Sequence, residues 1–125
     1  MEKKLKKLSK RVNNYFYNYL IKFNSSELIA PMKYGLFPGG KKIRSKILID
    51  LGSLFSIDYK TLIIIGSAVE CIHAYSLIHD DLPCMDDDDI RRGKPSTHIR
   101  FGESTAVLAG NSLLTLAFEI LSNPK

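Results

Sequence analysis

Cysteine is scarce. Only Cys71 and Cys84 occur in the 125 residues, and they form no metal or redox spacing. Free thiols in a reducing compartment are therefore expected, with a cytoplasmic location. Histidine is nearly as rare, at His73, His79 and His98, so no histidine-rich metal set is available. No apolar run approaches the roughly eighteen residues that span a bilayer, and the basic N-terminus lacks the apolar core of a signal peptide. Stable membrane insertion is not expected. Repeats and strand-like alternation are absent. Acidic residues are the minority, thirteen against eighteen Lys and Arg, a formal net charge of +5. That balance suits small anionic ligands as well as nucleic acid and decides between neither.

The acids that exist are concentrated. Six of the thirteen lie between Asp80 and Asp89, with Arg91 and Arg92 directly behind them. Carboxylates this close repel one another by roughly 1 kcal/mol per close pair even in water. Multivalent cations are the usual compensation. Oxygen ligands without a His/Cys cluster favour a hard ion such as Mg²⁺, held by one or two carboxylates plus substrate phosphates. Adjacent arginines suit phosphate oxygens, which a planar guanidinium grips with two hydrogen bonds. A solvated acidic loop is the plainer alternative. It is disfavoured here because the run is flanked by apolar helix rather than low-complexity sequence.

Residues Thr61–Leu82 read as one apolar helix, by length and by the lack of strict alternation. His73 and Asp80 are two turns apart and share a side. Pro83 must end or kink the helix. In an unbroken helix the next neighbour of Asp80 would be Cys84, which is no Mg²⁺ ligand. A turn over Leu82–Met85 instead brings Asp86 back beside Asp80.

Elsewhere, Leu5, Leu8, Val12, Tyr15/Phe16 and Tyr19/Leu20 make an apolar stripe, so residues 4–23 form an amphipathic helix. Its lysine-rich first turns read as a solvated face rather than a nucleic-acid arm or membrane-surface helix. Ser25-Ser26 is expected to cap a short helix running to about Tyr34, and Leu36–Gly40 is loop. Gly39-Gly40 opens a helix Lys41–Phe55, whose free N–H groups favour an anion, with Lys41 and Arg44 on one face. Residues 92–96 are turn-rich. A short helix from Thr97 and a longer one over Glu103–Leu121 follow. The chain reads as one all-α domain over residues 1–125.

These elements together resemble the trans-isoprenyl diphosphate synthases. Asp80-Asp81-Leu82-Pro83-Cys84-Met85-Asp86 with Arg91-Arg92-Gly93 is similar to the family's first aspartate-rich motif, in the form with two extra residues. Gly39-Gly40-Lys41-Lys42-Ile43-Arg44 resembles the Gly-Gly-Lys-x-x-Arg element, with Ser45 where proline is usual. The helix Ile72–His79 between them is similar as well, and the bacterial farnesyl diphosphate synthase branch is the best match.

The resemblance implies roles. Asp80 and Asp86 would ligate Mg²⁺ bridging to an allylic diphosphate, with Asp81 a weaker candidate for the same shell. Arg91 would contact that diphosphate, while Lys41, Arg44, His73 and Arg92 would hold isopentenyl diphosphate. Tyr75 would floor the elongation pocket and set a farnesyl product, the alternative being ordinary core packing. The fold implied is the N-terminal half of an isoprenoid-synthase helical bundle, and a homodimer is expected. The substrates implied are isopentenyl, dimethylallyl and geranyl diphosphates, with no nucleic-acid partner.

The family's second aspartate-rich helix has no counterpart after Asp89. We therefore expect a truncated or split prenyltransferase that is inactive alone, or else a non-catalytic small subunit or diphosphate-binding module. A terpene cyclase would leave Lys41 and Arg44 unexplained. His79-Asp80 also resembles the metal doublet of HD-type phosphohydrolases, a remote alternative that lacks the further histidine and the downstream aspartate such sites need.

Overall fold

The computed structural model describes residues 2–37 and 40–123. Six α-helices dominate it: α1 (Glu2–Leu20), α2 (Ile29–Leu36), α3 (Ile43–Leu54), α4 (Tyr59–Asp80), α5 (Thr97–Phe101) and α6 (Glu103–Ser122). A short 3₁₀ turn, Ile21–Phe23, follows α1. The all-α expectation holds.

The apolar helix α4 is the axis of the fold. It packs along α6, with α3 and α1 against its other sides and α2 across both α4 and α6. The reason lies in its sequence: Leu62, Ile63, Ala68, Cys71, Ala74 and Ile78 are all buried, and they point in several directions around the helix. From α1 the stripe Leu8, Val12, Phe16 and Leu20 closes one side of the core, and Ala109, Leu113, Leu116 and Ile120 of α6 close another. Full burial of a side chain such as Phe16 or Leu113 contributes roughly 1.5–3 kcal/mol. Asp58 starts α4 by accepting a hydrogen bond from the Thr61 N–H at 2.9 Å.

Several boundaries differ from expectation. Helix α3 begins at Ile43 rather than Lys41, after Lys42 in a left-handed conformation, φ 49°. Lys41 therefore precedes the helix, and its relation to Arg44 is set by a turn rather than by helical periodicity. The expected opening at Gly39 lies outside the described residues. Ser25-Ser26 does not cap α2 directly. A turn intervenes, in which Ser26 accepts from the Leu28 and Ile29 N–H groups.

The turn-rich segment after the acids forms a small antiparallel hairpin, β1 (Ile90–Arg91) with β2 (Lys94–Pro95). Its two-residue loop, Arg92-Gly93, has positive φ at both positions (54° and 74°), the geometry that matches strand twist in tight hairpins. The sequence pattern shows no strand here, because two residues per strand carry no alternation to read.

By length and mean hydropathy (1.6 and 1.4), α4 and α6 are each apolar enough to cross a bilayer. Scanning for uninterrupted apolar runs misses this, since scattered small and polar residues break them. Their packing against each other and the smaller helices gives these apolar faces an intramolecular partner.

One apolar surface remains uncovered. Ile43, Ile47, Leu51 and Leu54 form a stripe on the outer face of α3, continued by Phe55, and Leu54 and Phe55 are each 78% exposed. On α6, Leu108, Phe118 and Leu121 are exposed too. Contiguous apolar patches of this kind are uncommon on monomeric soluble proteins. The 125-residue chain is expected to self-associate in sedimentation velocity at micromolar concentration, and Ile47→Glu/Leu51→Glu is expected to reduce that association. Monodisperse monomer at all concentrations would count against it.

Candidate diphosphate and metal site

Two features of opposite charge flank the C-terminal half of α4. The first is a cavity of about 260 Å³ between α3, α4 and the hairpin, lined by Lys41, Lys42, Arg44, Glu70, His73 and Arg92 among others. The four residues expected at an isopentenyl diphosphate site are thus gathered on one cavity. Arg92 reaches it from the hairpin turn, over the backbone of Gly40: a methyl group at Gly40 would lie 3.2 Å from Arg92 Nη1, so glycine permits this approach. Tyr34 of α2 anchors the hairpin by donating from its hydroxyl to the Pro95 carbonyl at 2.7 Å.

Arg44 Nη1 lies 3.3 Å from His73 Nε2. A guanidinium only donates, so this nitrogen of His73 is the acceptor and its ring is neutral. The electrostatics agree. Burial lowers the His73 pKa, with repulsion from Arg44, Arg92 and Lys42 in the same direction, while Glu70 opposes them.

Lys42 has a different fate from Lys41. It is 7% exposed, its Nζ donates to the Leu36 carbonyl at 3.1 Å, and it lies 3.8 Å from Glu70 Oε2. Burial lowers its pKa, partly offset by Glu70. Neither Lys42 nor Glu70 stands out in the sequence motifs. The available signal was Glu70 itself, the single carboxylate inside the apolar stretch Leu62–His79, which had to have a partner.

The second feature is the acidic turn. Helix α4 stops at Asp80, and the chain folds back so that the Asp86 N–H donates to the Asp80 carbonyl at 2.8 Å and Asp88 N–H to the Asp81 carbonyl at 3.1 Å. The return of Asp86 to Asp80, expected from Pro83, is present in the backbone. Ser96 ties down the far end, its N–H donating to the Asp89 carbonyl and its hydroxyl to that of Asp88.

Asp81 is committed elsewhere. It is 2% exposed, and Arg91 grips it with two hydrogen bonds, Nε to Oδ2 and Nη2 to Oδ1, both 2.7 Å. That pairing raises the Arg91 pKa. Two donors of Arg91, expected on a ligand, thus serve the protein itself. Asp80, the other carboxylate at the end of α4, is half-buried, and Asp86, Asp87, Asp88 and Asp89 are exposed. Hard oxygen donors suit Mg²⁺, but among the described residues no three or more His, Cys, Asp or Glu side chains gather as a ligand set.

Tyr75 stacks edge-on against His79 at 4.8 Å between ring centroids, and packs partly against the core. His79 Nε2 lies 3.0 Å from the Val107 carbonyl, so that nitrogen is a donor. A histidine donating there cannot bind a metal through the same atom. Cys71 is buried, its thiol pKa pushed up to about 12 by burial, and Cys84 is exposed; both are free.

Comparison with known proteins agrees with the all-α fold. The model of the family described as polyprenyl synthetase matches residues 25–125. The chain is 50% identical over 115 residues to a farnesyl diphosphate synthase of Buchnera aphidicola (from Acyrthosiphon pisum), covering 90% of this chain and 41% of that protein. It is 52% identical over 101 residues to that of Escherichia coli K12, covering 81% and 34%. Among solved structures, a geranyltransferase from Legionella pneumophila superposes with a TM-score of 0.85 at 44% identity, covering 96% of this chain and 42% of that one. An apo FPP/GFPP synthase from Zymomonas mobilis gives 0.84 at 41%, covering 98% and 46%. The chain spans less than half the length of these relatives.

Two outcomes follow from the geometry. Arg91→Ala leaves a buried carboxylate without its partner, a change that typically costs about 3–5 kcal/mol. Chemical denaturation should show a loss of that order, and an unchanged midpoint would mean that the pair contributes nothing. The second concerns His73. Its depressed pKa means that the unfolded chain binds more protons as pH falls, so this group lowers stability below about pH 6.5 and ceases to do so above it. A bound polyanion reverses the repulsion from Arg44. Inorganic diphosphate should therefore bind more tightly as pH falls through that window, with proton uptake beyond that of the His73→Gln variant in calorimetry. Equal proton linkage in the two would refute His73's part.

Proposed function

The chain belongs to the polyprenyl synthetase family, and on that premise we propose that it forms the isopentenyl-diphosphate side, and one wall of the metal site, of a farnesyl diphosphate synthase. The observation that carries this reading is the convergence of Lys41, Arg44, His73 and Arg92 on one cavity beside the Asp80/Asp86 turn.

In this reading the cations of the cavity bind the diphosphate of isopentenyl diphosphate and hold its tail toward the apolar interior. Lys41 and Arg44 supply charge, and neutral His73 can gain a proton as the anion arrives. Asp80 and Asp86 hold Mg²⁺, which when bound stabilises the negative charge that grows on departing allylic diphosphate. Arg91, fixed by Asp81, keeps the hairpin against the acidic turn and so sets where Arg92 stands. The apolar walls of α4 exclude water from the reacting carbon. Tyr75, on the same helix one turn and a half before Asp80, limits chain length at fifteen carbons, in keeping with the farnesyl diphosphate synthases among its relatives. A homodimer is the assembly we propose, and the uncovered stripe on α3 supports the view that catalysis needs further polypeptide beside these residues.

The test uses a chimera in which residues 1–125 replace the matching segment of the Escherichia coli relative. Asp80→Asn in that chimera should lower turnover by about two orders of magnitude while isopentenyl diphosphate still binds. Tyr75→Ala should lengthen the products seen by chromatography. Near-normal turnover of the Asp80→Asn chimera would remove Asp80 from the metal site, and an unchanged product distribution would return Tyr75 to core packing.

A further inference from the structure

Glu70 occupies an unusual place for a carboxylate. It lies midway along α4, 4% exposed, one turn before His73. Its Oε1 accepts from the Ser45 N–H at 3.2 Å and lies 2.9 Å from the Ser45 hydroxyl, while Oε2 faces Lys42 Nζ at 3.8 Å. The Ser45 hydroxyl is also 2.9 Å from the Gly66 carbonyl, so its one proton is shared between two acceptors on α4. Lys42, whose backbone is left-handed at φ 49°, is held from the other side by the Leu36 carbonyl. The residues so tied, 42 and 45, bracket the turn into α3. Lys41 and Arg44 stand immediately before each of them.

We propose that Glu70 is a positioning residue for the diphosphate cavity: by holding Lys42 and Ser45 it fixes the turn Lys41–Arg44 against α4, at the separation that sets Arg44 on His73. This rests on the diphosphate reading of the cavity given above. The arrangement is selective. A bare lysine at position 42 would turn its ammonium toward water or into the cavity, since a buried unpaired charge is strongly disfavoured. Held by Glu70 and the Leu36 carbonyl, it stays as a buried part of the cavity wall, its ammonium already paired, and leaves the freer cations to be Lys41 and Arg44. Ser45 has a part that proline, usual here in the resemblance, cannot play: proline offers neither the N–H nor the hydroxyl that Glu70 receives.

The experiment has a ligand-free arm and a ligand arm, both on the 125-residue chain. Amide hydrogen exchange reports the turn without any ligand. In Glu70→Gln, exchange at Ser45 and Lys46 should quicken roughly tenfold or more, because the counter-charge to Lys42 is gone, while Leu113 and Leu116 of α6 stay as in wild type. Calorimetry with inorganic diphosphate should show a comparable loss of affinity, and Glu70→Gln/Lys42→Met, which removes both charges, should recover most of it. Unchanged exchange at Ser45 and Lys46 overturns the proposal. So does quickened exchange with unaltered diphosphate affinity. If wild type itself fails to bind diphosphate, the reading of the cavity falls, and the exchange arm still decides whether Glu70 holds the turn. Should Glu70→Gln lose its helical circular dichroism, Ser45→Ala decides in its place. It should quicken the same amides by about threefold, and no change there overturns the proposal.

Discussion

The crowding of carboxylates at the end of α4 is the constraint from which the site takes its form. A helix C-terminus already carries partial negative charge, and here six aspartates follow within ten positions. The chain meets this by separating them. Asp81 turns inward onto Arg91, with two short hydrogen bonds that neutralise one charge inside the protein. The turn that follows directs its amides to the carbonyls of Asp80, Asp81 and Leu82, so that backbone rather than solvent holds Asp86–Asp88 in place. Asp80 and Asp86 are left next to each other in the backbone at the end of α4, Asp80 half-buried and Asp86 exposed.

Arg91 links this arrangement to the opposite charge. The strand that brings it to Asp81 also carries the turn with Arg92, whose guanidinium crosses Gly40 into the basic cavity. A smaller cavity, lined by Asp81, Arg91 and Arg92, shares Gly35, Ala74, Leu77 and Arg92 with the larger one, so the acidic and basic features have a common wall. One ion pair thus sets two positions: it holds the Asp81 carboxylate inside the protein and fixes the hairpin that carries Arg92 to the basic cavity. A lysine at position 91 would supply the charge without the paired geometry, since only a guanidinium makes both bonds to one carboxylate.

Much of this was legible in the sequence, and the parts that were not share a cause. The long helices were visible because their apolar periodicity is their reason for folding, and Pro83 marked the end of α4 within a few residues. The residues Lys41, Arg44, His73 and Arg92 were legible only jointly, through motif order, because each alone is compatible with ordinary surface or core. The start of α3 falls two residues later than its pattern suggests. Lys42 adopts a left-handed backbone there in order to reach Glu70 and Leu36, a tertiary contact that no local pattern announces. The role of Arg91 is subtler still. Two arginines in succession look alike in a sequence, yet one is bonded to a buried aspartate and the other lines the basic cavity, because Arg91 ends strand β1 and Arg92 opens the turn of a hairpin too short to detect.

The two faces of helix α3 differ. Its inner face, through Ser45, Ile49 and Gly52, is fixed against α4, while its outer face presents Ile43, Ile47, Leu51 and Leu54 to water. Ile43 immediately precedes Arg44 and also lines the basic cavity, so the uncovered surface begins at the rim of the site rather than at a distance from it. A cavity with an open apolar rim is wet, and water weakens every charge interaction inside it. On the function proposed above, the cations would hold a diphosphate in that state, whereas an allylic carbon ionising there would meet water before a second substrate. That reading separates two demands: binding would draw on the turn Lys41–Arg44, His73 and the hairpin, while catalysis would also need the outer face of α3 covered.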